Sequence, residues 1–597
     1  MKYKNNNTFV PTAGASVRYL QSLGIKDVES FLYKPKPSDY ESPWKLDNMR
    51  TLIDKLHNGF ENKKHFFVQV DSDTDGFTSS SIFINYFKKL YPEADIQYRV
   101  HDGKEHGVIV DTIPVVTDIV IIPDAGSNQT DEFEELKNKG ITVLVMDHHI
   151  INHPSNFDNV TIVNNQASEN FYNKELSGAG VVYKTIQAYD EIYNHKAGDY
   201  KEFEDLAALG IIADMMDSRT LDNNAIIKNG LNNVSNPMLE AILAQQQFKI
   251  GANKAPNKID IAFYVAPLIN AVIRFGTPEE KTEFFEGFIT KTDKVVHSFS
   301  RGKERDETIY QYLARTASNL RNRQNTAKEK SLATICEKIA NKHIDDNCAI
   351  VVKVDASYLS QNITGLAAME ICKKYGNRPT LLLRPVIETK MDEYGHSYEE
   401  IYYRGSGRAC VAEGFSSFMN VLKDSGLMDY VEGHDNAFGA SILERNIPAL
   451  NDYLNQHLAG IDFGDYNEVD CHMDDDNWDN ICLQEFGKII DVFGNGIPQP
   501  KFHFEFQVRD RDIRVQGKKE DSLKIGHNGV CFVSFQNKKL VERYLEVADQ
   551  AFQEGKEIKI ECIGRSQINE WQGYQNINIM IDNIELSVCE PKRKALF

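Results

Sequence analysis

Between residues 65 and 165 short β-rich apolar runs alternate with amphipathic stretches, and this alternation constrains the fold more than any other feature of the 597-residue chain. The runs HFFVQV, DIQYRV, DIVIIPD and ITVLVMD are separated by the helical patterns SSIFINYFKKL and DEFEELKNKG. Strands spaced by helices favour a mostly parallel sheet, and such sheets place ligand sites beyond the carboxyl ends of their strands. The acidic motifs of this chain fall at those ends. Helical periodicity continues through 177–193 and 203–217, where GAGVVYKTIQAYDEIY and FEDLAALGIIADMM carry apolar residues at spacings of three and four.

The length suggests about four structural units. Hydrophobic residues at 41% and aromatics at 10% exclude a wholly disordered or fibrous protein. With 67 basic against 87 acidic residues the net charge is −20, which argues against a polybasic DNA coat and against adhesion to an anionic membrane. No apolar run approaches 18 residues and the N-terminus lacks the apolar core of a secretory signal, so the soluble interior of a cell is expected. Nine cysteines without a C-x-x-C pair predict reduced thiols. Residues 301–330 are locally basic and predict a long surface helix acting as a solvated connector. A second α/β unit begins with CAIVVKVD at 348–355, and KFHFEFQV, GVCFVSF, EIKIECIG and INIMIDNIEL predict a small barrel after an acidic linker at 464–480.

In DSDTDG, Asp71, Asp73 and Asp75 leave a strand end together, and crowded carboxylates need protons or hard cations to neutralise them. A calcium loop is excluded because Ile82 stands where its glutamate belongs. Asp124 ends a second strand, with Gly126 and Ser127 expected to open a helix whose amides face phosphate. A lone histidine at a strand end is more often hydrogen-bonded structure than a ligand. Two of them after Asp147, His148 and His149, arriving at the same sheet edge, favour ligation. Asp214 ends the run LGIIAD, with Asp217 competing for its role. Mixed oxygen and nitrogen donors suit manganese or magnesium, and two such ions about 4 Å apart favour phosphodiester hydrolysis. No G-x-S-x-G elbow offers a nucleophilic serine instead.

The ordered set DSDTDG, PDAGSN, MDHH and LGIIAD resembles the four signature motifs of the DHH phosphoesterase superfamily. SLGIKDVESFL at 22–32, VNNQ, LSGAGVVYK and APLINAVIRFG at 266–276 narrow the resemblance to RecJ-type single-strand exonucleases. NITGLAAMEICKKYGNRPTLLL, GSGRA at 405–409 and EGHDNAFGAS at 432–441 resemble the DHH-associated domain, while FGNGIPQPKFHF and INEWQGYQNINIMI resemble the RecJ nucleic-acid-binding barrel. The resemblance implies a multidomain α/β protein: an N-terminal segment (1–50) packing on a DHH parallel-sheet catalytic domain (51–295), a helical connector (296–345), a smaller DHH-associated α/β domain (346–460), and a linker with an OB-like β-barrel (461–597).

By motif, the resemblance implies that Asp73, Asp75, Asp124, His148 and Asp214 ligate two divalent cations, Mn²⁺ or Mg²⁺, with Asp124 bridging them. Asp71 would be a ligand or lie just behind one, and His149 would contact the scissile phosphate. Arg274, Ser406, Gly407, Arg408 and His434 would bind substrate, with GSGR forming a phosphate-binding turn, and Trp571, Tyr574 and Phe535 would stack on bases. The sequence departs from the family pattern at Ala125, at Ile273 in place of glycine, and at Glu432, where a double glycine is usual. The implied activity is 5′ to 3′ hydrolysis of single-stranded DNA to nucleoside 5′-monophosphates. The alternatives are a phosphodiesterase for short oligonucleotides or cyclic dinucleotides, and a noncatalytic DNA-binding replication scaffold. A monomer in the cytoplasm of a bacterial or phage-infected cell is expected, with a single-strand-binding protein or helicase as partner and no membrane.

Overall fold

The computed structural model describes residues 3–102, 105–154, 156–193, 198–251, 255–300, 302–355, 359, 363–391, 394, 396–464, 467–571 and 574–591. In the first unit FFVQV and IVIIP become strands buried at every position, as continuous apolar runs in a doubly covered parallel sheet must be. Five parallel strands lie in the spatial order Ile96–Val100, Phe66–Val70, Ile119–Pro123, Thr142–Asp147, Val160–Asn164. Alternate residues feed opposite faces. Phe66, Val68, Ile121 and Leu144 pack with Phe77, Phe83 and Val182, while Phe67, Val120, Ile122 and Val145 pack with Phe133 and Leu136. The strand order reverses between Phe66–Val70 and Ile119–Pro123. That reversal opens a crevice at their carboxyl ends, where Asp71 and Asp124 follow.

The second unit is a five-stranded sheet in the order Met428–His434, Ala437–Leu443, Ser397–Arg408, Thr380–Met391, Ile350–Lys353, antiparallel apart from the last pair. A helix of 33 residues, Ile309–Asn341, joins it to the first unit and spans roughly 50 Å. It is more than a solvated connector. Leu313, Ala317 and Leu320 are buried in the first core and Ile335 and Ile339 in the second, so the helix ties the two units together. The start of the expected helix is instead a strand: Lys303–Thr308 pairs antiparallel with Val295–Ser300, and the helix starts only where Thr308 and Gln311 form a capping box.

The C-terminal unit is an OB-like sheet of seven strands, from Cys471–Asp474 at one edge to Ile513–Gln516 at the other, packed on the helix Lys538–Glu554. The N-terminal segment, expected on the first unit, divides. Tyr3–Asn5 pairs in parallel with Asn467–Val469, and Phe9, Tyr19, Leu20 and Phe31 are buried with Phe486 and Phe502 in the C-terminal core. The Phe31 carbonyl accepts from Asn224 and Lys228 of the first unit, and from Tyr40 onward the segment packs on the first core, where Leu46 is buried. Among the described residues no helix is long and apolar enough to cross a membrane, and all nine cysteines are free.

Candidate active site at the sheet switch point

Asp71, Asp73 and Asp75 occupy the turn from the Phe66–Val70 strand into the Thr74–Leu90 helix. Asp73 is the N-cap and accepts from the Gly76 N–H at 2.8 Å. Asp75 lies in the first turn and also receives the N-terminus of a second helix, from the Gly178 N–H at 2.6 Å and the Ala179 N–H at 3.1 Å. Asp71 accepts from His106 Nδ1 at 2.8 Å, with His101 Nε2 at 3.6 Å from its other oxygen. Burial, then the charges of Asp75 and Asp71, push the Asp73 carboxyl up to about 6.

Asp124 follows the Ile119–Pro123 strand in a left-handed conformation, φ 63°, that a side chain with a Cβ rarely adopts. The turn aims its buried carboxylate back at the Asp75 motif. Its Oδ1 has no hydrogen-bond partner, although His148 Nε2 lies 3.2 Å away. Burial, then Asp75 and Asp73, hold this carboxyl well above its ordinary range. The helix expected at Gly126 and Ser127 begins only at Asp131, and the Ser127 amide donates to Asp147 Oδ2 at 3.0 Å instead of facing a phosphate.

Asp147, to which the sequence reading gave no role, organises the two histidines. Its Oδ1 accepts from the His148 N–H at 2.7 Å and from His149 Nδ1 at 2.8 Å. Although burial acts to raise Asp147, hydrogen bonding and the charge of His149 hold it well below the carboxylate range. His149 rises to about 9: burial opposes this, and the Asp147 hydrogen bond and charge outweigh it. His148, buried and beside the His149 charge, falls to about 4. Asp214 caps the end of the Glu204–Ala213 helix and reaches to 3.5 Å from His148 Nε2, its carboxyl raised to about 8 by burial and by Asp75 and Asp73. Asp217 points elsewhere, bonded to Arg219 Nε at 2.7 Å.

One donor atom each from Asp71, Asp73 and Asp124 lie within 4.8 Å of one another, as do atoms from Asp75, His148 and Asp214, and from Asp124, Asp147, His148 and His149. Asp71 Oδ1 and Asp124 Oδ1 are buried without hydrogen-bond donors. So many buried, mutually repelling carboxylate oxygens with a neutral imidazole beside them form the donor set that a hard divalent cation satisfies. The set fits a metal centre, and all six expected ligands, Asp71 included, come together in it.

The substrate-binding candidates divide. GSGR is not a turn: Ser406 and Gly407 lie inside a strand paired on both sides, with Leu382 and Leu381 on one neighbour and Gly439 and Phe438 on the other. A Cβ on Gly407 would stand 2.2 Å from the Phe438 ring, so this glycine serves packing and does not open its amide to a phosphate. Ser406 and Arg408 do line a cavity of about 640 Å³, together with Thr364, Arg384, Arg404 and Glu432. Arg384 and Arg404 sit opposite each other on adjacent strands, and the Arg384 Nε is buried and unpartnered. His434 is exposed at the hairpin end, outside the cavity lining. The charge of Arg274 acts on both Asp73 of the acidic site and Arg408 of this cavity. Phe535 and Tyr574 are exposed, at 63% and 75%. Tyr574 opens the Tyr574–Cys589 strand, whereas Phe535 lies just past the end of the Val530–Ser534 strand. The Trp571 side chain lies outside the described residues.

The DHH family, N-terminal domain, model matches residues 65–211, and the RecJ OB domain model matches residues 469–583. The SPbeta prophage-derived protein YorK of Bacillus subtilis, named provisionally as a single-strand DNA-specific exonuclease, is 33% identical over 99% of this chain and 98% of its own. The single-stranded-DNA-specific exonuclease RecJ of the same organism is 23% identical over 92% of this chain and 65% of its own. The fold is shared with RecJ of Thermus thermophilus in complex with Mn²⁺, at TM-score 0.65 and 20% identity, covering 90% of this chain and 72% of that one. The Mg²⁺ complex of the same protein matches at TM-score 0.62 and 19% identity, covering 95% and 74%. Identity spanning both chains almost end to end, with both domain models matched in order, places this chain in the RecJ family of the DHH superfamily.

Proposed function

We propose that the chain is a metal-dependent exonuclease that degrades single-stranded DNA from the 5′ end and releases nucleoside 5′-monophosphates. The observation that carries this reading is the convergence of Asp71, Asp73, Asp75, Asp124, His148 and Asp214 at one sheet switch point. The names of the RecJ and YorK relatives support the substrate. Asp71, Asp73, Asp75, Asp124, His148 and Asp214 would hold two divalent cations, Mn²⁺ or Mg²⁺, with Asp124 common to two of the donor sets. When bound, such ions activate water and neutralise charge on the transferring phosphoryl group.

The remaining work falls to the chain's own groups. Hydrolysis adds hydroxyl to phosphorus and hydrogen to the leaving 3′ oxygen of the terminal nucleotide. His149, held cationic by Asp147 and half exposed, offers its charge to a non-bridging oxygen of the scissile phosphate. Arg384, Arg404 and Arg408 offer the terminal 5′-phosphate an anion site, and Arg274 steadies the nucleotide between. The match of residues 469–583 to the RecJ OB domain supports a polymeric substrate over a dinucleotide, since a further nucleic-acid-binding unit would serve a longer strand. The protein acts as a monomer in the cytoplasm of a bacterial or phage-infected cell, where a helicase or single-strand-binding protein presents the strand.

Digestion of end-labelled single-stranded and duplex DNA, with each metal and with chelator, tests the reading. Label at the 5′ end is expected in mononucleotide from the earliest times, label at the 3′ end in progressively shorter strands, and chelator stops both. Turnover of dinucleotides alone rejects the assignment. Binding of single strands without hydrolysis in either metal would instead mark a noncatalytic scaffold.

A further inference from the structure

The helix that presents Asp214 is finished by a residue from the C-terminal unit. Beyond Ile212 the chain closes with Met216 N–H to the Ile211 carbonyl and Met215 N–H to the Ile212 carbonyl, both 3.1 Å, with Met215 left-handed at φ 58°. This is the bonding pattern of a Schellman ending, which usually places glycine at the left-handed position. The same two carbonyls receive a second donor. Asn495 Nδ2 lies 3.3 Å from the Ile211 oxygen and 3.2 Å from the Ile212 oxygen, although the residues are more than 280 positions apart.

Local sequence explains how Asn495 gets there. Gly494 and Ile497 exchange backbone hydrogen bonds at 2.8 and 2.9 Å, and Asn495 and Gly496 between them both have positive φ, 31° and 84°. That is the two-residue turn for which Asn-Gly is the preferred pair. The turn is seated tightly: Asn495 is 5% exposed, its carbonyl accepts from the Ser218 N–H and hydroxyl at 2.8 Å each, and a Cβ on Gly496 would stand 2.2 Å from Asp217 Oδ1. The turn therefore grips the chain on both sides of Asp214, at Ile211 and Ile212 before it and at Asp217 and Ser218 after it.

We infer that Asn495 is a positioning residue for the metal site of the N-terminal unit, fixing the helix end from which Asp214 approaches Asp75 and His148. The inference rests on the proposed reading in taking Asp214 as a ligand. It gives the C-terminal unit a part in building the site as well as in holding DNA. The turn itself does not need this side chain, since glycine adopts the same backbone and keeps both bonds from Ser218.

The test uses full-length Asn495→Gly, which removes only the side chain, and Asn495→Asp, which keeps its size but turns a carboxylate toward two carbonyls. Mn²⁺ affinity is read by electron paramagnetic resonance, Tm is measured in chelator, and kcat and KM are measured on single-stranded DNA. Mn²⁺ affinity is expected to fall about 10- to 100-fold in both variants. At fixed Mn²⁺, kcat falls with it, KM for DNA stays constant, and added Mn²⁺ restores part of the rate. Unchanged Mn²⁺ affinity in both variants, with a lowered Tm, overturns the inference and leaves Asn495 a plain interface contact. Should the wild type bind Mn²⁺ yet spare single-stranded DNA, the exonuclease reading fails while the Mn²⁺ affinities still decide the role of Asn495.

Discussion

Gly178→Ala tests whether the site depends on close packing of a helix start against Asp124. A Cβ on Gly178 would stand 2.4 Å from the Asp124 Cβ and Oδ1 and 2.6 Å from its Cα. Because a backbone atom is among these contacts, rotating the Asp124 side chain cannot relieve them. The helix start and Asp124 must separate by about 1 Å to reach ordinary van der Waals distance. The Gly178 N–H that binds Asp75 moves with the helix, so both donor sets are displaced together. A misplacement of about 1 Å costs on the order of 100-fold in rate, about 2.7 kcal/mol of transition-state stabilisation. Overpacking costs about 1–3 kcal/mol of stability, partly offset by the better helix propensity of alanine. The matched control is Gly180→Ala on the same helix, where the three nearest atoms to the new methyl all belong to the Leu176 side chain. Initial rates on single-stranded DNA in saturating Mn²⁺, with circular-dichroism melting, read both effects. If Gly178→Ala keeps kcat within about threefold of wild type while Gly180→Ala does the same, the packing argument is wrong.

Asp124→Ala is expected to abolish hydrolysis without lowering the Tm in chelator, because the lost carboxylate is buried among like charges; near-normal rates would contradict its shared role. Arg408→Ala should raise KM roughly tenfold with kcat largely kept, and an unchanged KM moves the phosphate anchor elsewhere. Lys258, buried and donating to Ser218 Oγ at 2.8 Å, has its amine lowered to about 7 by burial and then by Lys228. Between pH 7 and about 10 the unfolded chain therefore binds the extra proton and the folded one does not, so stability rises with pH across that window, by at most roughly 4–5 kcal/mol. Lys258→Met should flatten that rise in urea melts taken from pH 7 to 10, and a slope identical to wild type would show that the amine is not held neutral.

The parallel sheet and its acidic corner were legible because each is written locally: an apolar run marks a strand and the residue after it marks a strand end. The choice between Asp214 and Asp217 was not, since both follow the same helix and what separates them is the tertiary approach of Asp214 to His148 while Asp217 bonds Arg219 two residues on. Asp147 stood in plain view beside two histidines, yet its role depends on accepting from the backbone and ring around it, which no spacing rule encodes. His106 contacts Asp71 from across the sheet and carried no signal of its own. GSGR looked like a turn because glycine is read as a turn residue, whereas Gly407 is required by the Phe438 ring lying on it. The N-terminal segment misled for a related reason: Phe9, Tyr19 and Phe31 announce burial without naming the surface that buries them.

The adjacent histidines show how position rather than residue type assigns chemistry. His148 lies in the interior of the site, where burial keeps its imidazole neutral with a lone pair to give. One residue later, His149 is half exposed and bonded to Asp147, which keeps it cationic and suited to an anion. A parallel division separates the switch point from the arginine-lined cavity of the second unit. Carboxylates crowd at the switch point, while Arg408 and Arg321 are each lowered first by burial and then by the charge of Arg274. Like charges gathered and partly desolvated are costly in the free protein, and under the proposed function a phosphodiester chain with divalent cations would relieve both groups at once. In a chain of net charge −20, Arg274 acting on both Arg408 and Arg321 marks a local gathering of cations, which under the proposed function would face the DNA backbone.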